Sequence, residues 1–269
     1  MGGAFLLSTI QYWLVHHSTV SGFTWSPGHT FASTPLFLVV TVVSYLAVTY
    51  LLVLLRFPPL PSVVLKPITA VHNLTLAALS LLMAAGCALS AHFQAPDRRW
   101  IFCFPAGETP PIGPTFFWAY VFYLSKILEL VDTILIVLSG SIQRLTFLHV
   151  YHHSTVLVMC FVWLHTSQSL FPVALITNAS VHVLMYGYYF LSGIGLRPRW
   201  KKAVTNCQIV QFVFSFLVSG LMLRYHFFFG GCSGIWGWCF NAVFNASLLI
   251  LFVDFHVKSY ARKMKDKER

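Results

Sequence analysis

The sequence predicts an all-α polytopic membrane protein with seven transmembrane helices, on three observations. Hydrophobic residues form 57% of the 269-residue chain and charged residues only 9%, and the mean hydropathy of +0.74 lies above that of a soluble domain of this length. Seven apolar stretches each reach the roughly 20 residues that a helix needs to cross a bilayer core of about 30 Å. The cations fall between those stretches rather than on one amphipathic face. A formal charge of +10 therefore does not point to nucleic acid, whose electrostatic footprint is a basic patch or stripe.

Residues 1–15 have no basic start and an apolar part too short to span, so they read as an interfacial or luminal lead-in and not as a cleaved signal. Spans are expected at 35–55, 67–91, 114–138, 145–164, 171–191, 205–229 and 235–257, in one membrane domain that takes in the whole chain. Pro35, Pro67 and Pro114 head three of them, where the missing N–H of a first-turn residue costs nothing. Residues 258–269 follow as a basic tail.

Charge sets the orientation. With the tail in the cytosol, Arg56, Lys66, Arg144, Arg197, Arg199, Lys201, Lys202 and the six basic residues from Lys258 onward share that side. Arg98 and Arg99 lie opposite, and Lys126 and Arg224 fall within spans. This is the positive-inside pattern, and it places the N-terminus in the lumen. The ending Lys265-Asp266-Lys267-Glu268-Arg269 looks like the dilysine retrieval signal of endoplasmic-reticulum membrane proteins; an ordinary basic tail at the headgroups is the alternative. Six cysteines with no Cys-x-x-Cys pair argue against a zinc-type thiolate site. The topology puts Cys103 and Cys232 in two luminal loops, where an oxidising compartment permits a disulfide between them. Sequons at Asn73, Asn178 and Asn245 all fall inside apolar runs and read as chance matches.

The chemistry gathers around Leu148-His149-Val150-Tyr151-His152-His153, near the start of the fourth span. Helical positions i, i+3 and i+4 share a face, so three imidazoles enter one neighbourhood at membrane depth, where ionisable groups are expensive and usually functional. At about 1.5 Å per residue, the third span brings Lys126, Glu129, Asp132 and Thr133 to the same cytosolic half. The fifth brings Asn178, His182, Tyr186 and Tyr189, and the sixth brings Thr205, Gln208 and Gln211. Each has a structural reading alone. Lys126 and Glu129 could only neutralise each other, the glutamines could be interhelical glue, His182 a hydrogen-bonded core residue, and the tyrosines an interfacial belt. Four helices contributing polar groups at one depth argue instead for a shared cavity facing the cytosol.

Lys126-x-x-Glu129-x-x-Asp132-Thr133, His149-x-x-His152-His153, His182-x-x-Met185-Tyr186-x-Tyr188-Tyr189 and Thr205-x-x-Gln208-x-x-Gln211 resemble, in order and spacing, the four signature boxes of the ELO family of very-long-chain fatty acid elongases. Trp200-Lys201-Lys202 is similar to the family as well. The resemblance covers 114–269 and, through the seven-span layout, extends over the chain; the N-terminal hundred residues diverge. It implies a 3-oxoacyl-CoA synthase that condenses a long-chain acyl-CoA with malonyl-CoA and releases CO2 and CoA. It also implies helices two to seven in a ring around a narrow acyl tunnel, with the first helix outside. No cofactor beyond the CoA thioester substrates and no metal is implied. The expected partners are acyl-CoA, malonyl-CoA, membrane lipid and the other enzymes of the elongation cycle. A homodimer is one arrangement open to it. Acyl length and saturation are not legible.

Within that reading His152 is the expected nucleophile, forming an acyl-imidazole, with His149 and His153 orienting it or moving protons. His182 assists decarboxylation or holds the enolate. Asn178, Gln208 and Gln211 are donors to developing oxyanion charge; Glu129 and Asp132 orient imidazoles or offset Lys126; Tyr186 and Tyr189 support them. Arg144, Arg197, Arg199, Lys201 and Lys202 meet CoA phosphates at the mouth. Direct condensation with a histidine as base stays open, and Cys160 and Cys207, outside the boxes, are poor nucleophile candidates. Two rival classes remain: a di-iron membrane oxygenase or desaturase, which needs more histidine boxes than this chain has, and a seven-span transporter, for which the buried charges would serve an ion path.

Overall fold

The computed structural model describes residues 2–56, 58–196 and 198–261. Arg197 and the Lys-x-Lys ending lie outside the described residues. The order of elements is α1 (Gly2–Gln11), a π-helical turn (Tyr12–His16), α2 (Ser18–Ser21), α3 (Pro35–Leu54), α4 (Ser62–Gln94), α5 (Pro114–Leu128) and α6 (Val131–Leu138). A 3-10 turn (Ile142–Arg144) leads into α7 (Phe147–His165), α8 (Phe171–Gly193), α9 (Lys201–Phe228) and α10 (Ile235–His256), which a π-helical turn (Val257–Ala261) continues. No strand occurs among the described residues, and β-pairing is limited to isolated bridges.

Among the described residues five helices are long and apolar enough to cross a membrane: α3, α4, α7, α9, and α10 with its continuation to Ser259. The expected third span is broken in two. After Leu128 the backbone tightens to i→i+3 bonds, with the Leu130 N–H donating to Ile127, Asp132 to Glu129 and Thr133 to Leu130. Such a 3-10 stretch inside a helix rotates the residues beyond it. Here it lets Lys126 and Glu129 face α8 while Asp132 reaches His72 and Tyr186.

The expected fifth span, α8, has 23 residues, but Asn178, His182 and three tyrosines make it more polar than the five. It is buried instead against α4, the most extensive helix pairing in the fold. α4 runs 33 residues, about 50 Å at 1.5 Å per residue. It begins at Ser62, so Pro67 lies inside the helix and not at its head. α9 likewise begins at Lys201, four residues before the expected start.

Close packing fixes the α4–α5 interface. A Cβ on Gly86 would lie 2.1 Å from the Trp118 indole, so only glycine lets these helices approach. The same indole N–H donates to the Leu14 carbonyl at 2.9 Å, and Ser90 Oγ donates to it at 3.3 Å. The N-terminal segment is thereby docked on the bundle, with Val15 and Val20 buried.

At the bundle end away from the three histidines, a disulfide joins Cys103 to Cys232 with their Cα atoms 5.0 Å apart. Three loops are woven there. Ser233 N–H donates to the Phe104 carbonyl at 2.8 Å and Ser169 N–H to the Ser233 carbonyl at 3.0 Å, while Phe104 N–H donates to Ser169 Oγ at 3.0 Å. Gly234 closes the weave at φ +69°, where a Cβ would meet the Gln168 backbone at 2.4 Å.

Candidate active site

The break between α5 and α6 sets the first cluster. Lys126 and Glu129 lie three residues apart, are both 1% exposed, and meet at Nζ–Oε1 2.6 Å. A buried charge needs such a partner, and the rest of its donors need acceptors. Lys126 Nζ also approaches Asn178 Oδ1 at 3.5 Å and His182 Nδ1 at 3.4 Å on α8, and sits 4.3 Å over the Phe122 ring. Glu129 Oε1 is 3.4 Å from His182 Nδ1. Lys126, Glu129, Asn178 and His182 therefore form one contiguous network across two helices.

A second network hangs on Asp132. Its Oδ1 meets His72 Nε2 from α4 at 2.7 Å, and its Oδ2 accepts from the Tyr186 hydroxyl of α8 at 2.7 Å. Thr133, the next residue, has its Oγ1 2.8 Å from His149 Nε2 and 3.0 Å from the Tyr45 hydroxyl of α3. The His149 ring is thus held from its far side.

The histidine face of α7 is as its spacing requires. His149 and His153 have ring centroids 4.4 Å apart, and His152 and His153 5.4 Å. His152 stacks on Phe244 of α10 at 6.3 Å with planes 16° apart. The Tyr151 hydroxyl meets Ser247 Oγ at 2.7 Å, which fixes the register of α10 against α7 at this depth. Among the described residues, the buried Nδ1 atoms of His152 and His153 have no hydrogen-bond partner.

His152 lines a cavity of about 30 Å³ with Asn178 of α8, Gln211 of α9, and Asn241 and Asn245 of α10, among others. That volume suffices for a water molecule, and the convergent amides would satisfy one. Cys160 and Cys207 are not part of its lining. A neutral imidazole facing a small chamber ringed by amide donors can attack a carbonyl or take a proton from a carbon acid, and the amides can bind the resulting oxyanion.

Other expected residues fall outside the chamber. Gln208 Nε2 approaches Met185 Sδ at 3.4 Å and does not line the cavity. Tyr189 is 45% exposed, its ring 6.1 Å from that of Tyr186. Arg144, Arg199, Lys201 and Lys202 are exposed on segments that flank the histidine end of α7, the end of α8 and the start of α9. Among the described residues no group of three His, Cys, Asp or Glu is placed to hold a metal ion.

Sequence reasoning missed Tyr45, His72, Phe244, Asn241 and Asn245. Depth could have found His72, a polar residue facing the third span's carboxylates. Asn245 was visible only as part of a sequon.

The pattern of the ELO (GNS1/SUR4) family matches residues 30–268. The chain belongs to the ELO family. Among relatives of this ELO chain, "Fatty acid elongase 3-like" of Arabidopsis thaliana is 34% identical, over 95% of this chain and 93% of the relative. "Fatty acid elongase A" of Dictyostelium discoideum is 34% identical over 93% of each. "Very long chain fatty acid elongase 2" of Rattus norvegicus is 33% identical over 77% of this chain and 74% of its own length. The four boxes of the ELO chain supply Lys126, Glu129, Asp132, Thr133, His149, His182 and Tyr186 to the two polar networks and His152 and Gln211 to the chamber, while Asn178, Asn241 and Asn245 lie outside them.

Proposed function

We propose that this chain is the condensing enzyme of fatty acid elongation, a 3-oxoacyl-CoA synthase acting on a long-chain acyl-CoA and malonyl-CoA. The observation that carries the reading is the His152 imidazole at the wall of an amide-lined chamber, its Nδ1 without a partner among the described residues.

A His152 nitrogen attacks the thioester carbonyl of the acyl donor; the C–S bond breaks and CoA leaves as the thiol, carrying the imidazole proton. Malonyl-CoA then loses CO2, leaving the electron pair on its α-carbon as an enolate. That carbon attacks the acyl-imidazole carbonyl, the C–N bond breaks, the released imidazole nitrogen takes up a proton from solvent, and 3-oxoacyl-CoA departs with His152 neutral again. Splitting the condensation this way replaces one hard step with two easier ones. Asn178 and Gln211 donate to the oxyanions. His182, held by Lys126 and Glu129, serves the decarboxylation, and His149 and His153 orient His152.

The same reading counts seven crossings, with α5 and α6 together as one and α8 as another, and places the histidine end in the cytosol with the disulfide end in the lumen of the endoplasmic reticulum. An oxidising lumen agrees with the disulfide. Arg144, Arg199, Lys201 and Lys202 lie on the cytosolic side, where CoA phosphates arrive. An alkyl chain needs far more room than the chamber offers, and the acyl tunnel that the reading calls for extends beyond it.

The test is incorporation of labelled malonyl-CoA into a long-chain acyl-CoA by the purified protein. Formation of 3-oxoacyl-CoA, reduced by about 100-fold or more in His152→Ala, is the expected result. No product from the wild type across a series of acyl lengths, or stoichiometric iron in the purified protein, would overturn the assignment.

A further inference from the structure

The chamber beside His152 contains an amide pair that lies outside the four signature boxes. Asn241 and Asn245 are four residues apart on α10 and so share a helix face. Phe244, between them, stacks on the His152 ring. Asn241 is 5% exposed, yet both asparagines line the same cavity as His152.

Their orientation separates donor from acceptor. Asn245 Nδ2 donates to Asn241 Oδ1 at 3.2 Å. The Asn241 oxygen is thereby engaged, and its two N–H groups make no other hydrogen bond among the described residues. Asn178 is arranged alike: its Oδ1 faces the Lys126 ammonium at 3.5 Å, which leaves its N–H groups for the chamber. Two carboxamides, one on α8 and one on α10, therefore present donors, each with its oxygen engaged by another side chain.

We propose that Asn241 is a further catalytic residue, donating a hydrogen bond to the carbonyl oxygen that becomes negative when His152 is acylated and deacylated, and that Asn245 is a positioning residue that sets its amide. The assignment rests on the condensing reading above. Donors aimed in advance at developing charge act more strongly on the transition state than on the bound substrate. Removal of Asn241 therefore lowers kcat and leaves KM nearly unchanged.

The experiment uses the purified full chain. Release of CoA from acyl-CoA alone and steady-state condensation are measured for the wild type, Asn241→Leu, Asn241→Ser and Asn245→Leu, with a thermal melt for each. Asn241→Leu and Asn241→Ser should lose about 100- to 1,000-fold in kcat with KM for acyl-CoA within about threefold. Asn245→Leu should lose less, about 10-fold. Either folded Asn241 variant keeping kcat within about threefold of wild type would overturn the proposal.

A second readout keeps the thioester intact by removing the nucleophile. The infrared carbonyl stretch of a 1-13C-acyl-CoA bound to His152→Ala protein should be lowered relative to the same acyl-CoA in buffer, and restored upward in His152→Ala/Asn241→Ser. An unshifted band in His152→Ala overturns the donor role. A wild type that forms no 3-oxoacyl-CoA sinks the condensing reading itself, whereas an active wild type with an indifferent Asn241 sinks this assignment alone.

Discussion

Lys126 and Glu129 offer the sharpest energetic test, because both are 1% exposed and their charges meet at 2.6 Å. At an effective dielectric of about 20, the Coulomb attraction at that distance is about 6 kcal/mol. Most of it offsets the cost of taking two charges out of water. Removing one partner leaves the other buried and uncompensated, which costs about 3–5 kcal/mol. Lys126→Met and Glu129→Gln should therefore each be less stable by that amount. At about 3 °C per kcal/mol for a chain of this size, the thermal midpoint falls by roughly 9–15 °C, followed by tryptophan fluorescence of detergent-purified protein. Glu129→Gln sits at the lower end because its carbonyl still accepts from Lys126. The double variant Lys126→Met/Glu129→Leu removes both charges and should return to within about 2 kcal/mol of wild type, while remaining inactive. Single variants as stable as wild type, or a double variant with the sum of both losses, would refute the view that the pair is coupled and dry.

Three further outcomes follow from other parts of the fold. His72→Leu deprives Asp132 of its 2.7 Å partner; a loss of about 1–3 kcal/mol and a several-fold fall in turnover are expected, and unchanged melting and activity would remove His72 from the site. Cys103→Ser opens a cross-link spanning 129 residues, worth about 5 kcal/mol in the chain-entropy treatment; its melting point should match that of reduced wild type, and a wild type indifferent to reductant would deny the bond any stabilising role. Gly86→Leu forces carbon into the space of the Trp118 ring and should destabilise by about 1–3 kcal/mol or more, while Gly187→Ala, which meets nothing within 4 Å, should not; equal melting points for the two would contradict the packing described.

How much of this was legible follows the range of the interactions. Apolar length and i, i+3, i+4 spacing are local, so the helices of the bundle and the common face of His149, His152 and His153 can be read from the chain. The break after Leu128 could not, since it depends on Lys126 and Asp132 finding partners on α8 and α4 that periodicity does not reveal. His72 is hidden for the same reason: inside a 33-residue helix its purpose appears only when Asp132 lies across from it. The amide spacing of Asn241 and Asn245 is plain, but the register that brings it beside His152 is set by Tyr151–Ser247 and Phe244–His152 contacts between distant residues. Gln208 illustrates the reverse limit. Its spacing from Gln211 puts both on one side of α9, yet one turn decides that Gln211 lines the cavity while Gln208 meets Met185.

The central claim is that His152, in its amide-lined chamber, carries the acyl group between the two CoA esters. It is tested most directly by mixing purified protein with a long-chain acyl-CoA in the absence of malonyl-CoA and measuring CoA release together with the mass of the peptide that contains His152. Stoichiometric release within one turnover, with the acyl mass on that histidine and its discharge on adding malonyl-CoA, is the predicted result. An unmodified His152 and no CoA released, from protein that condenses both substrates when they are supplied together, would contradict it.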